Sequence, residues 1–308
     1  MPATLRANCI GSLAAEALSD GSSETVGHVV NTFPNSLYIK TLHGELVFVT
    51  SLPLRSPITI NLDLESTLNL DQVVKPLEPV RVREKQIRIG AETSIDLTGV
   101  PPYHSQSSPV SRLGSGFAEM GETLRLISFL IRILDTEQSV LDPHGLAHRG
   151  VVKFVSDGVI PLGRSGKEGQ FPRAALSIVG LGSGFTPSGD DMLGGFLATY
   201  NSLAEAIQRA PVLLDFALLQ EKTSWISAKL LDHMQRLILD EQVRLVIDRA
   251  GTADTDGLVL AVESLLPRGH TSGIDISAGA VLALSLIRDI AFQKSETEMI
   301  ADALGLSP

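Results

Sequence analysis

The spacing of apolar residues changes once along the chain, and this change limits the folds that the sequence can adopt. Over roughly the first hundred residues, short runs rich in Val, Ile, Phe, Tyr and Thr recur about every ten residues, as in strands separated by turns. From Phe117 onward, apolar residues recur at intervals of three and four, the spacing of amphipathic helices. The sequence therefore predicts an α+β protein, in which a small β barrel or sandwich precedes a mainly helical domain.

A polar segment rich in Pro, Ser and Gly separates the two patterns, at residues 101–115. This composition is typical of a linker, so we predict a β-rich domain over residues 1–110 and a helical domain over residues 111–308. The predicted strands cover residues 26–33, 36–41, 45–50, 58–62, 80–83, 86–90 and 93–97. The later predicted helices cover residues 192–209, 213–239 with a candidate break near Gln220, 242–250, 255–266, 275–293 and 296–304.

The charge and cysteine content narrow the classes of partner. The 308 residues carry a net charge of −10, which argues against nucleic acid because phosphate backbones need clustered Lys and Arg. Cys9 is the single cysteine, so no intrachain disulfide forms, and no apolar stretch reaches the roughly 20 residues that a membrane span needs. We expect a cytoplasmic protein that binds neither nucleic acid nor a membrane, while a small anion stays open as a ligand.

The most informative segment is glycine-rich and leads into a strongly apolar helix. Residues 180–191 read Gly-Leu-Gly-Ser-Gly-Phe-Thr-Pro-Ser-Gly-Asp-Asp. Glycines permit positive φ angles and let a ligand approach main-chain N–H groups. A helix start adds unpaired N–H groups and partial positive charge, which suits phosphate or carboxylate. The segment lacks the full glycine pattern of a dinucleotide-binding loop, since Phe185 takes the place of the third glycine.

A second segment repeats this pattern. Residues 188–195 and 272–279 share Ser-Gly-x-Asp-x-x-x-Gly, in which Gly195 corresponds to Gly279. Glycine at that position permits two helices to approach closely. We therefore predict that the two helices run side by side, with their N-termini together at one shared site. The alternative is that Ser188 and Ser272 only cap two separate helices, with each Asp in the position of a capping box.

The candidate site residues follow from these two segments. His270 and Asp190 are the candidate catalytic residues, although Asp190 could equally hold Mg²⁺, bind a substrate amide or face solvent. The sequence specifies no metal requirement beyond this Mg²⁺ alternative. The candidate substrate-binding residues are Gly182, Ser183, Gly184, Thr186, Ser188, Gly189, Asp191, Thr271, Ser272, Gly273 and Asp275.

Both segments resemble the signature motifs of a bacterial family long listed as of unknown function, which includes the H subunit of oxamate carbamoyltransferase from anaerobic allantoin degradation. Residues 223–230 and the opening β region are similar to further family segments. Ser183 stands where the family usually has Pro. The resemblance implies carbamoyl transfer between oxamate nitrogen and phosphate, with carbamoyl phosphate, oxamate or phosphate as ligand and two other subunits as partners. A non-catalytic role, as a ligand-binding or assembly subunit, is the alternative.

Overall fold

A computed structural model describes residues 3–19, 25–63, 69–104, 109–165 and 168–307. The chain divides into two compact units, residues 1–106 and residues 107–308. The first is a β barrel and the second is helical, so the predicted fold class is confirmed.

The first unit is a closed barrel of eight strands with a short ninth strand at its edge. Its strands are β1 (Ala3–Gly11), β2 (Thr25–Phe33), β3 (Ser36–Thr41), β4 (Leu46–Thr50), β5 (Thr59–Asp63), β6 (Pro79–Arg83), β7 (Gln86–Ile89), β8 (Thr93–Asp96) and β9 (Pro102–Tyr103). The order is β5-β4-β3-β2-β6-β7-β8-β1-β9, and the antiparallel pairing of β1 with β5 closes the barrel. Two short helices, α1 (Ser12–Ala17) and α2 (Leu70–Val73), complete the unit.

The barrel core forms because side chains alternate between inside and outside along each strand. In β3, Leu37 and Ile39 are fully buried, and Val47 and Val49 of the neighbouring β4 join the same core. A turn joins these two strands, and in it Gly44 adopts a positive φ of 78°, which glycine tolerates without strain.

The N-terminal strand β1 was not predicted. It points Leu5, Ala7 and Cys9 inward, and two of these three residues are too small to give a strong apolar signal. Its long-range pairing with β5 and β8 makes it a strand, which local sequence does not show.

The second unit packs its helices around one core. The helices are α3 (Gly121–Ile133), α4 (His148–Phe154), α5 (Ile160–Ser165), α6 (Phe171–Leu176), α7 (Ser188–Leu203), α8 (Phe216–Gln220), α9 (Trp225–Gln235), α10 (Glu241–Gly251), α11 (Thr255–Leu265), α12 (Ser272–Phe292) and α13 (Glu296–Ala303). Short 3-10 turns lie at Ser115–Glu119, Glu168–Gln170 and Glu205–Ile207, and a π turn lies at Val155–Val159.

Helices α7 and α12 form the centre of this unit. Every residue from Gly273 to Arg288 is buried, and so is nearly all of α7. A helix that is apolar on all sides needs neighbours all round, which explains its central position. The predicted helix over residues 213–239 is interrupted after Gln220, while the one over residues 192–209 begins earlier, at Ser188, and ends at Leu203. No helix of the described residues is long and apolar enough to cross a membrane.

Candidate functional site

The two glycine-rich helix starts lie side by side, as the repeated pattern predicts. A Cβ atom on Gly195 would lie 2.1 Å from the carbonyl oxygen of Ile276, and one on Gly279 would lie 2.0 Å from that of Met192. These two contacts are reciprocal, since each glycine faces the backbone of the other helix. On both helices these glycines follow a contact between the first turns, in which the hydroxyls of Ser188 and Thr271 are 3.4 Å apart. The helices α7 and α12 therefore run parallel with their N-termini together.

The first turns of the two helices are joined by a reciprocal exchange of side-chain contacts. The Ser272 hydroxyl donates to Asp191, and the Ser188 hydroxyl lies beside Asp275 in the equivalent position. The hydroxyls of Ser188 and Thr271 are 3.4 Å apart. Each carboxylate therefore lies at the serine of the opposite helix and holds the two starts together.

This exchange corrects the capping-box interpretation of Ser188 and Ser272. The residues that cap the helices are Pro187 and Thr271, and neither makes a side-chain capping hydrogen bond. Both serines are already the first helical residues, so their hydroxyls are directed across the interface instead of back onto their own helix.

Burial in this interface changes the ionisation of both carboxylates. Burial raises the pKa of Asp191 to about 6, although hydrogen bonds from Ser272 and Thr186 lower it in part. Burial also raises the pKa of Asp275 to about 8, with the negative charge of Asp191 adding to the effect. At neutral pH, Asp275 is therefore mostly protonated while Asp191 is mostly ionised.

Asp275 also has an unused oxygen. Its side chain is completely buried, and its Oδ1 accepts a hydrogen bond of 2.8 Å from the Val140 N–H. Its Oδ2 is buried without a hydrogen-bond partner among the described residues. The hydroxyls of Thr271 and Ser188 also contact this carboxyl and lower its pKa in part.

Asp190 holds the glycine loop in place. Its Oδ1 accepts from the Gly180 N–H at 2.7 Å, and its Oδ2 accepts from the hydroxyls of Thr223 and Ser227, both at 2.6 Å. Burial raises its pKa, and the three hydrogen bonds oppose the rise. Because both oxygens are engaged, we interpret Asp190 as a structural residue rather than a catalytic base or a Mg²⁺ ligand.

The loop before α7 exposes main-chain donors. Gly180, Gly182 and Gly184 have φ angles of 79°, 112° and 104°, a conformation that favours glycine. The N–H groups of Gly182, Ser183 and Gly184 donate no hydrogen bond within the described part of the chain. Ser183 and Gly184 are exposed. The hydroxyl of Thr186, in the same loop, already donates a hydrogen bond of 2.9 Å to Asp191.

Two predicted donors are not available to a ligand. The Gly189 N–H donates to the carbonyl of Leu181 at 2.9 Å, and the Gly273 N–H donates to that of Arg268 at 2.9 Å. A Cβ on either glycine would collide with the same turns, at 2.3 Å from the Ile178 oxygen and 2.1 Å from the Leu265 oxygen. Gly189 and Gly273 thus serve chain packing at each helix start.

A segment that the sequence did not single out covers both helix starts. Gln138 accepts a hydrogen bond of 2.7 Å from Ser183 through its Oε1 and one of 2.9 Å from Ser188 through its main-chain oxygen. Val140 binds Asp275 two residues later. Gln138 has a φ of 75°, which is uncommon for a residue with a side chain. The sequence does not indicate this backbone angle. The one feature that could have drawn attention to the segment is that it is a polar run between two apolar helices.

His270 and Arg268 lie beside the second helix start. His270 is exposed, and its main-chain oxygen accepts from the Thr136 hydroxyl at 3.4 Å. Arg268, which the sequence did not single out, donates to Asp240 at 2.6 Å, and its charge lowers the pKa of Asp191 in part. In the described residues, no group of three or more His, Cys, Asp and Glu side chains comes together as a metal site.

Comparison with known proteins connects this geometry to a family. Residues 178–284 match the family described as oxamate carbamoyltransferase subunit AllH, and the match includes the glycine loop and both helix starts. No curated protein and no solved structure matches the chain. The match covers residues 178–284 of the 308 and supports the resemblance of this chain to the family of oxamate carbamoyltransferase subunit AllH.

Proposed function

We propose that this chain is a subunit of an oxamate carbamoyltransferase and that it binds a small anion beside its paired helix starts. The observation that carries the proposal is that the family match spans the residues that form this junction. Candidate ligands are carbamoyl phosphate, oxamate and phosphate. The other subunits of such an enzyme would be its partners.

The proposed anion position is the glycine loop rather than the contact between the two helices. Gly182, Ser183 and Gly184 offer N–H groups without internal partners, next to the positive end of α7. The contact itself already holds the carboxylate of Asp191, which fills the place that an external anion would take. Asp275 contributes no opposing charge at neutral pH, because it is mostly protonated.

In the proposed reaction, one bond to the carbamoyl carbon breaks and another forms. A phosphate oxygen attacks this carbon, the bond from the carbon to the oxamate nitrogen breaks, and the nitrogen takes up a proton. The products are carbamoyl phosphate and oxamate. Main-chain N–H groups of the loop would hold the phosphate and stabilise charge on the reacting oxygen. His270, which is exposed beside the start of α12, would donate the proton to the nitrogen.

The alternative is a non-catalytic subunit that assembles with partners, and one observation favours it. On α3, Leu126, Phe129 and Ile133 are 51%, 60% and 61% exposed, at a spacing that places them along one face. Large exposed apolar residues in a row are typical of interaction surfaces. Both candidates keep the ligand site and differ in whether this subunit performs the chemistry.

A thermal-shift experiment with phosphate, carbamoyl phosphate, oxamate and ATP-Mg²⁺ tests the ligand site. A ligand at 100 times its Kd should add about 2.7 kcal/mol, or about 5–10 °C in melting temperature. G184A places a methyl group on an exposed glycine with a φ of 104° and should abolish the shift. The control G44A changes a barrel glycine with a φ of 78° and open space around it, so it should retain the shift. An undiminished shift in G184A would exclude the loop.

A further inference from the structure

One hairpin of the barrel presents a cluster of cationic side chains. In the antiparallel pairing of β6 with β7, Arg81 lies directly opposite Arg88. Arg83 follows Arg81 by two residues and therefore lies on the same face of the strand. Lys85 is in the turn that joins the strands, and all four side chains are exposed.

Few contacts offset the positive charge of these four side chains in the part of the chain that the structure describes. None of them forms an ion pair with an acidic side chain in the described ranges, and Arg88 donates only to the Gln86 amide oxygen, at 3.3 Å. Opposed residues in such a ladder have Cα atoms about 4.5–5.5 Å apart, and like charges there destabilise a sheet. Within the described residues the cluster stays without acidic partners, although the chain carries a net charge of −10.

We propose that Arg81, Arg83, Lys85 and Arg88 form a cationic face that docks an acidic segment of a partner protein. This inference goes beyond the proposed function and stands if that function fails, because it depends only on the barrel. Complementary charge of this kind mainly speeds encounter and selects the partner, so the contact should weaken as salt increases.

The composition of the hairpin favours a protein partner over nucleic acid or lipid. Residues 79–96 contain no aromatic side chain on which bases could stack. Their apolar side chains, Val80, Ile87 and Ile89 among them, point into the barrel core and cannot insert into a membrane.

Binding of fluorescent poly-L-glutamate to the purified full chain tests the proposal. The variant R81E/R88E should bind the probe about tenfold or more weakly at low salt. The control R112E/K294E makes the same change in net charge at two exposed residues of the helical unit and should stay within about twofold of the natural protein. Equal losses in both variants would show that net charge alone decides binding, and would overturn the proposal.

Two further measurements complete the test. The first measurement is competition by a single-stranded oligonucleotide or by phosphatidylserine vesicles. If either one displaces poly-L-glutamate and its own binding requires Arg81, the face belongs to another class of partner and the proposal is overturned. The variant R88E separates binding from folding, since it places opposite charges at the pair and should not lower the melting temperature. Loss of probe binding in a fully folded R88E supports the proposal, whereas retention contradicts it.

Discussion

Gly279 lies against Met192 so closely that a Cβ atom on the glycine would be 2.0 Å from the methionine carbonyl oxygen. The blocking atom belongs to the backbone of α7, so it cannot move aside as a flexible side chain can. G279A should therefore force α7 and α12 apart and destabilise the protein by about 3 kcal/mol or more. Urea unfolding measures this loss.

The matched control for G279A is G194A in α7. A Cβ on Gly194 would meet the Met234 sulfur at 2.5 Å, which is the movable part of a flexible side chain. G194A should cost much less than G279A. If both variants lose the same stability, the close contact of the helix backbones does not explain why glycine is needed at residue 279.

The interpretation of Asp190 as a structural residue predicts a stability loss. D190A leaves the Gly180 N–H and the hydroxyls of Thr223 and Ser227 without their acceptor, so we expect a loss of about 3 kcal/mol. S227A should cost less, and the double variant should lose less than the sum of the two single variants, because the residues share one hydrogen bond. A stable D190A that fails to bind the ligand would instead assign Asp190 to ligand recognition.

The raised pKa of Asp275 predicts that stability falls as pH rises. Its pKa is about 8 in the folded protein against 3.8 without the fold, so the folded state binds more protons between these values. The free energy of unfolding should therefore decrease from about pH 4 to pH 8 and then level off. D275N removes this ionisation, so the free energy of unfolding of the variant should not fall in this way. The difference between the variant and the natural protein should therefore shift in favour of D275N as pH rises, by about 1 kcal/mol per pH unit.

D191N provides the comparison for the pH experiment. The pKa of Asp191 is about 6, so its contribution to the pH dependence should be complete near neutral pH, before that of Asp275. Denaturant unfolding of both variants between pH 5 and pH 9 distinguishes the two carboxylates. A difference between D275N and the natural protein that does not vary with pH would contradict the assigned protonation of Asp275.

Much of the fold was predictable because local pattern and burial agree. The strand over Ser36–Thr41 has alternating apolar residues and a glycine turn after it, so its bounds follow from the sequence. The approach of α7 to α12 was also predictable, because Gly195 and Gly279 hold the same place in a repeated pattern. Both cases depend on a periodic signal that tertiary contacts reinforce.

The details of the site were less predictable because they depend on partners distant in the sequence. The sequence made Asp190 a candidate catalytic residue, whereas in the structure its Oδ2 accepts hydrogen bonds from the hydroxyls of Thr223 and Ser227. Gln138 and Val140 gave no motif, since they act largely through main-chain groups that any residue carries. That these residues form one ligand site stays a prediction, and the role proposed for each of them depends on its contacts.

An anion should bind to the N–H groups of the glycine loop that donate no hydrogen bond within the described residues. Selective ¹⁵N-glycine labelling and titration with phosphate or carbamoyl phosphate test it directly, by following individual amide signals. We expect the amide signals of Gly182 and Gly184 to shift with ligand. Those of Gly189 and Gly273 should shift little, because their N–H groups already donate to Leu181 and Arg268. Larger shifts at Gly189 and Gly273 than at the loop, or no shifts at all, would contradict it.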